Sequence, residues 1–76
     1  MYNKADVLWD QKLNEATVYL TKTNGEQTKL FVKHVYSWKD AIEILTSNIS
    51  PYGVKIVGQK DLHDDRFIKE QTFTLG

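Results

Sequence analysis

The clearest pattern in the chain is a pair of segments, residues 16–22 and 27–34, in which apolar and polar residues alternate on either side of Asn24-Gly25. Such alternation around Asn-Gly predicts a β-hairpin. A two-residue turn would place Val18 opposite Phe31, whereas a three-residue loop with Gly25 left-handed in a bulge places Val18 opposite Leu30. We favour the three-residue loop because it gathers the apolar residues on one face of the hairpin: Ala16, Val18, Leu20, Leu30 and Val32.

A helix is predicted to follow the hairpin, beginning after Ser37. The segment Ser37-Trp-Lys-Asp40 resembles a capping box, and apolar residues then recur at helical spacing. The residue that precedes a proline avoids helical backbone angles, so Asn48 and Ser50-Pro51 are expected to end the helix. Its predicted inward residues are Trp38, Ala41, Ile42 and Leu45.

The C-terminal third of the chain predicts two more strands, Val54 to Gln59 and Phe67 to Leu75, joined by a polar turn from Asp61 to Arg66. The second of these strands carries Lys69 and Gln71 on its apolar side. Inward-pointing charged residues discourage a sheet edge from pairing with another chain, so we place this strand at an edge.

The N-terminal segment, Asn3 to Asn14, fits either a short helix or a strand. We favour the helix, capped by Asn3, with Ala5, Leu8 and Trp9 facing the core. The predicted fold is therefore a single α+β domain over residues 1–76, of the type (α)ββαββ. It has an antiparallel sheet of about four strands in the order 2-1-3-4, with one helix packed on one face.

The charge balance narrows the choice of partners. Ten basic and ten acidic residues give a formal net charge of zero, whereas non-specific DNA binding depends on a basic excess. Arg66 is the only arginine, which disfavours bidentate recognition of phosphate. The chain has no cysteine, no apparent signal peptide and no long apolar run. We therefore expect a cytoplasmic protein that does not bind a membrane.

Few residues in the sequence offer catalytic chemistry. His63-Asp64-Asp65 could suggest a metal site, but neighbouring residues on a turn point in different directions, so we interpret it as a solvated turn whose aspartates accept backbone hydrogen bonds. The serines lie where helix capping explains them, and no glycine forms a phosphate-binding loop. We expect neither an enzyme nor a metal or cofactor site, and an enzyme or metal protein is our third-ranked alternative.

The second face of the predicted sheet carries aromatic residues interleaved with lysines. Such a face can anchor a protein partner through its aromatic side chains, or can stack the bases of a single-stranded nucleic acid. A third possibility is that the N-terminal segment folds across this face and buries it. We rank a protein partner above a nucleic acid because of the neutral net charge. The predicted partner-binding residues are Tyr19, Phe31, Lys29, Lys33, Lys55 and Val57.

The sequence thus predicts a small non-enzymatic binding protein, an adaptor or inhibitor that acts by contact with another protein. Lysine, asparagine, isoleucine and tyrosine are abundant and arginine is scarce, a composition typical of AT-rich genomes. A compact chain of this kind suits a phage or mobile-element modulator of a host protein. No feature of the sequence assigns an oligomeric state.

Overall fold

The computed structural model describes residues 1–76 and contains six strands and one α-helix. No helix is both long and apolar enough to traverse a bilayer. A 3-10 turn, Ser50–Tyr52, follows the helix directly. In chain order the elements are β1 (Tyr2–Asp10), β2 (Glu15–Lys22), β3 (Gln27–Lys33), α1 (Trp38–Ile49), β4 (Ile56–Gln59), β5 (His63–Asp64) and β6 (Ile68–Leu75).

The strands form one antiparallel sheet in the order β3-β2-β1-β6-β4, and β5 pairs with β6 beside β4. Helix α1 packs on one face of this sheet, mainly against β1 and β2. The predicted α+β class is therefore confirmed. The predicted sheet of about four strands is wrong, because the sheet has six. The predicted order 2-1-3-4 is also wrong, because β1 lies between the hairpin and β6, and β6 separates β1 from β4.

The N-terminal segment supplies one of the two additional strands, since it forms β1 and not the predicted helix; the other is β5, which lies within the predicted polar turn from Asp61 to Arg66. Strand β1 lies in the middle of the sheet and pairs with β2 on one side and β6 on the other. Ala5, Val7 and Trp9 are buried beneath α1, while Asp6 and Leu8 face the other side. Alternation with a period of two decides the conformation here, because only a strand puts all three apolar side chains on one face.

Strand β6 is likewise interior and not at the predicted edge, since it lies between β1 and the short strands β4 and β5. Its two polar residues on the helix side, Lys69 and Gln71, each have a contact partner. The Lys69 ammonium lies 5.9 Å from the centre of the Trp38 ring. The Gln71 side chain donates a hydrogen bond to the Lys60 carbonyl at 2.8 Å. Phe73 and Leu75 are buried, whereas Phe67, the first residue of the predicted strand, lies outside β6 and is exposed.

The hairpin register is as predicted. Val18 lies opposite Leu30, and Ala16 lies opposite Val32. The Lys22 amide donates to the Glu26 carbonyl at 2.8 Å, which closes a three-residue loop, and Gly25 has a φ of 91°. The positive φ explains why glycine suits this position.

The helix also begins where the sequence predicted. The Ser37 hydroxyl accepts a hydrogen bond from the Asp40 amide at 3.0 Å, so Ser37 is the N-cap. Ala41, Leu45 and Ile49 are fully buried, and Trp38 and Ile42 pack around them. The helix ends at Ile49, and the chain turns away at Gly53, which has a φ of 71°.

One buried hydrogen bond connects the sheet to the segment that leads into α1. The Trp9 indole N–H donates to the Val35 carbonyl at 2.8 Å, and both residues are buried. This bond anchors the segment between β3 and α1 against the central strand.

Replacing Gly25 by alanine should lower the free energy of unfolding by about 1 kcal/mol, because a Cβ is disfavoured at positive φ. Nothing lies within 4 Å of the added Cβ, so the cost is conformational and not steric. Chemical denaturation would measure it. Gly58→Ala is the control: Gly58 lacks a positive φ and its added Cβ meets Thr74 at an ordinary 3.6 Å, so it should change stability less. Equal losses in the two variants would contradict this account.

Replacing Trp9 by phenylalanine should cost about 2 kcal/mol, because it leaves the Val35 carbonyl without its donor and opens a cavity. Urea denaturation would measure the loss. Trp38→Phe should cost less, since Trp38 is only partly buried and its indole N–H makes no protein hydrogen bond. A Trp9→Phe protein as stable as the natural chain would rule out the proposed anchoring role of the bond.

Candidate functional site

The face of the sheet opposite α1, which we call the open face, is not covered by another element. The sequence left open whether the N-terminal segment folds across this face. That segment instead lies within the sheet as β1, so it contributes its own outward side chains to the face. From β3 to β6, the open face carries Lys29, Phe31, Lys33, Thr17, Tyr19, Thr21, Lys4, Asp6, Leu8, Glu70 and Thr72.

Four of the six predicted partner-binding residues lie together at the β2–β3 end of the open face. We call Tyr19, Lys29, Phe31 and Lys33 the aromatic–lysine patch. Tyr19 pairs across the strands with Lys29, whose ammonium lies 6.0 Å from the centre of the tyrosine ring. Phe31 is 52% exposed, a large fraction for a phenylalanine in the middle of a strand.

The other two predicted residues, Lys55 and Val57, are not part of this patch. They lie at the opposite edge of the sheet, with β2, β1 and β6 between them and β3. Four strand spacings separate the two edges by roughly 19 Å. The predicted strand from Val54 is also shorter than expected, because β4 begins at Ile56 and its register shifts between Ile56 and Gly58.

Sequence reasoning missed the carboxylates of the open face. Asp6 is the cross-strand neighbour of Tyr19, and Glu70 lies beyond it on β6. Asp6 is held in place on both sides: one oxygen accepts a hydrogen bond from the Thr72 hydroxyl at 2.6 Å, and the other lies 3.9 Å from the Lys4 ammonium. The alternation along β1 would have placed Asp6 on this face, had the segment been assigned as a strand.

A groove of about 230 Å³ runs across the open face next to Tyr19. The segment from Lys60 to His63 contributes to it at the β6 side. No three histidine or carboxylate side chains converge there in a geometry that could hold a metal ion. The groove is lined by Asp6, Val7, Leu8, Tyr19, Lys60, Asp61, His63, Glu70, Gln71 and Thr72.

The prediction for His63-Asp64-Asp65 holds for Asp65 alone, because His63 and Asp64 form strand β5 and only the Asp65 carboxylate accepts backbone hydrogen bonds. One oxygen of Asp65 accepts hydrogen bonds from the amides of Ile68 and Phe67, at 2.8 and 2.9 Å. These two bonds, with a smaller contribution from His63 at 3.5 Å, lower the pKa of the Asp65 carboxyl. Asp64 instead lies 3.5 Å from the Lys69 ammonium. Asp65 thus holds the turn that leads into β6, whereas Asp64 forms a surface ion pair between β5 and β6.

Comparisons of the chain with protein-family models, with curated proteins and with solved structures found no match.

The lowered pKa of Asp65 gives a prediction for stability against pH. A depressed carboxyl pKa in the folded state stabilises the protein at pH values above the unfolded pKa, here 3.8. That contribution is lost as the pH falls through the lower, folded pKa. Asp65→Ala should therefore lower the melting temperature at pH 7, and its difference from the natural chain should shrink as the pH falls below 3.8.

Thermal melts from pH 2 to pH 7 would test this expectation. Asp61→Ala is the control, since the Asp61 carboxylate forms no ion pair within the chain and its removal should have little effect. A difference between Asp65→Ala and the natural chain that does not change with pH would show that the charge of Asp65 contributes nothing.

Proposed function

We propose that this chain is a non-enzymatic binding protein, an adaptor or inhibitor that contacts another protein through the aromatic–lysine patch. The observation that supports this most directly is Phe31, a large apolar side chain that is half exposed in the middle of a strand on an uncovered face. Tyrosine and phenylalanine in such positions are typical anchors of protein interfaces. The patch is bounded by Lys29 and Lys33, neither of which forms an ion pair within the chain.

The distribution of charge on the open face favours a protein over a nucleic acid. A single strand of DNA or RNA needs a continuous basic track for its phosphates beside the stacking residues. Here the lysines of the patch are followed by Asp6 on β1 and Glu70 on β6. A phosphate backbone that crossed the sheet from Tyr19 would therefore meet carboxylates.

Binding of a single-stranded nucleic acid is the second candidate. The Lys29 ammonium over the Tyr19 ring, with Phe31 exposed beside it, is an arrangement that could stack one or two bases. Such a strand would have to run along β3 and not across the sheet.

The composition adds a finer proposal about the biological setting. The scarcity of arginine and abundance of lysine, asparagine and isoleucine favour an origin in an AT-rich genome. We propose that the protein acts in the cytoplasm, as a phage or mobile-element modulator of a host protein.

Replacing Tyr19 or Phe31 by alanine should weaken capture of a partner from lysate of the source cell by about 2 kcal/mol or more, as for other anchor residues. Tyr52→Ala is the matched control, because Tyr52 is 60% exposed but lies in the turn after α1.

Capture should survive nuclease treatment if the partner is a protein. With the purified partner, Lys33→Ala should mainly slow association, whereas Lys55→Ala at the far edge should not.

Stability must be measured beside binding for each variant. If Tyr19→Ala and Phe31→Ala unfold the domain, or if both fold and bind as the natural chain does, the proposed interface is wrong. Loss of the captured material on nuclease treatment, together with a salt dependence that becomes shallower when Lys33 is removed, would favour a nucleic acid instead.

A further inference from the structure

The outer edge of β3 presents unpaired backbone groups. Along an antiparallel ladder, residues alternate between pointing their N–H and C=O groups toward the partner strand and away from it. The hydrogen bond between Lys22 and Glu26 sets the phase of the β2–β3 ladder. The groups that point away from β2 therefore belong to every second residue of β3: Gln27, Lys29, Phe31 and Lys33.

This edge is the longer and more regular of the two edges of the sheet. Strand β3 pairs with β2 over seven residues without a register shift, and it contains no proline. The other edge is divided between β4, which has four residues and a register shift, and β5, which has two. Edge strands of native sheets are commonly protected against pairing with other chains by being short, by bulges or by charged side chains. Strand β3 has only the charged side chains.

The two sides of the β3 edge differ in chemistry. On the open face lie Lys29, Phe31 and Lys33, alternate residues of the strand with the half-exposed phenylalanine between the two lysines in sequence. On the helix side lie Leu30 and Val32, which pack against the core but are only partly buried. Helix α1 packs mainly on β1 and β2, and both Leu30 and Val32 remain partly accessible.

From this edge we infer that β3 accepts an extended acidic segment of a partner protein as an additional antiparallel strand. This inference rests on the proposed function and names the chemistry of the partner. Residues opposite Lys29 and Lys33 would be aspartate or glutamate, and the residue opposite Phe31 would be aromatic or aliphatic. The alternate residues would be apolar and would cover Leu30 and Val32. Backbone hydrogen bonds supply affinity in this mode, and alternate side chains supply specificity.

A second copy of the chain fits this edge less well than an acidic strand. When two β3 strands pair antiparallel with Phe31 opposite Phe31, Lys29 of each copy faces Lys33 of the other. A register that avoids this clash still places four lysines on one side of a two-stranded ladder. Like charges directly opposite are destabilising, whereas opposite charges stabilise a pair. Charge complementarity therefore selects a partner segment of negative charge.

A synthetic peptide would test the inference on the natural protein. The probe is acetyl-Ser-Glu-Val-Tyr-Val-Glu-Ser-amide carrying a fluorophore, with binding followed by fluorescence anisotropy. Antiparallel pairing would point the Glu and Tyr amides toward β3 and the Val amides away. Methylating the Glu and Tyr amide nitrogens should weaken binding by about tenfold or more, and methylating the two Val nitrogens should have little effect.

Charge reversal tests the side-chain part of the inference. The double variant Lys29→Glu/Lys33→Glu should lose about tenfold in affinity for the acidic peptide. It should gain affinity for a version in which both Glu residues are replaced by Lys. Lys39→Glu/Lys55→Glu is the matched control, because it makes the same charge change at exposed positions away from β3. Circular dichroism would establish that both variants are folded.

The inference is overturned if the acidic peptide does not bind, if both methylated peptides bind equally, or if only methylation of Val matters. It is also overturned if the chain alone sediments as a dimer that Lys29→Glu/Lys33→Glu dissociates, or if oligothymidine displaces the peptide at lower concentration than unlabelled peptide does.

These outcomes are separable from the test of the proposed function. A captured partner that requires Tyr19 and Phe31, beside a peptide insensitive to methylation, would retain the protein-binding function and reject strand addition. A peptide that behaves as expected, beside partner capture that does not depend on Tyr19, would retain strand addition and remove Tyr19 from the interface.

Discussion

Pairing of β1 with strands on both of its sides is the interaction on which the rest of this structure depends. It joins the β2–β3 hairpin to β6, and β6 in turn carries β4 and β5. It also places Ala5, Val7 and Trp9 beneath α1, where they form the middle of the core. With no disulfide available, a chain of 76 residues depends on this continuous sheet and on the apolar area that it buries.

The central position of β1 also determines which surfaces remain for binding. Had the N-terminal segment crossed the sheet, Tyr19 and Phe31 would lie in a second core. Because it enters the sheet, it adds Asp6 to the open face and leaves the aromatic rings beside solvent. The same arrangement moves β3 to one edge and β4 to the other, so that Lys29 and Lys33 lie far from Lys55.

Local signals in the sequence predicted the elements that depend on local interactions. Gly25 and the hairpin alternation give the register of β2 and β3, and Ser37 marks the start of α1. The paired residues of β1 and β6 lie 58 to 70 residues apart in the chain, and no local pattern specifies that pairing. Leu8 also made the N-terminal segment harder to recognise as a strand, because the apolar run Val7-Leu8-Trp9 conceals the alternation of β1. The aromatic–lysine patch was predictable because it lies within the hairpin. The carboxylates and the groove were not, because they depend on the long-range pairing of β1 with β6.

The lysines of β3 bear both on self-association of the chain and on the proposed recognition of a partner. An exposed strand edge beside a half-exposed phenylalanine favours self-association unless something opposes it. Shortness and bulges protect the opposite edge, but they are absent from β3. Charge is the remaining means of protection, and Lys29 and Lys33 supply it on both sides of Phe31. Protection by charge differs from protection by shape, because it repels a second copy but attracts a strand of opposite sign. On the proposed strand addition, such an edge would oppose pairing between identical chains and would favour an acidic segment.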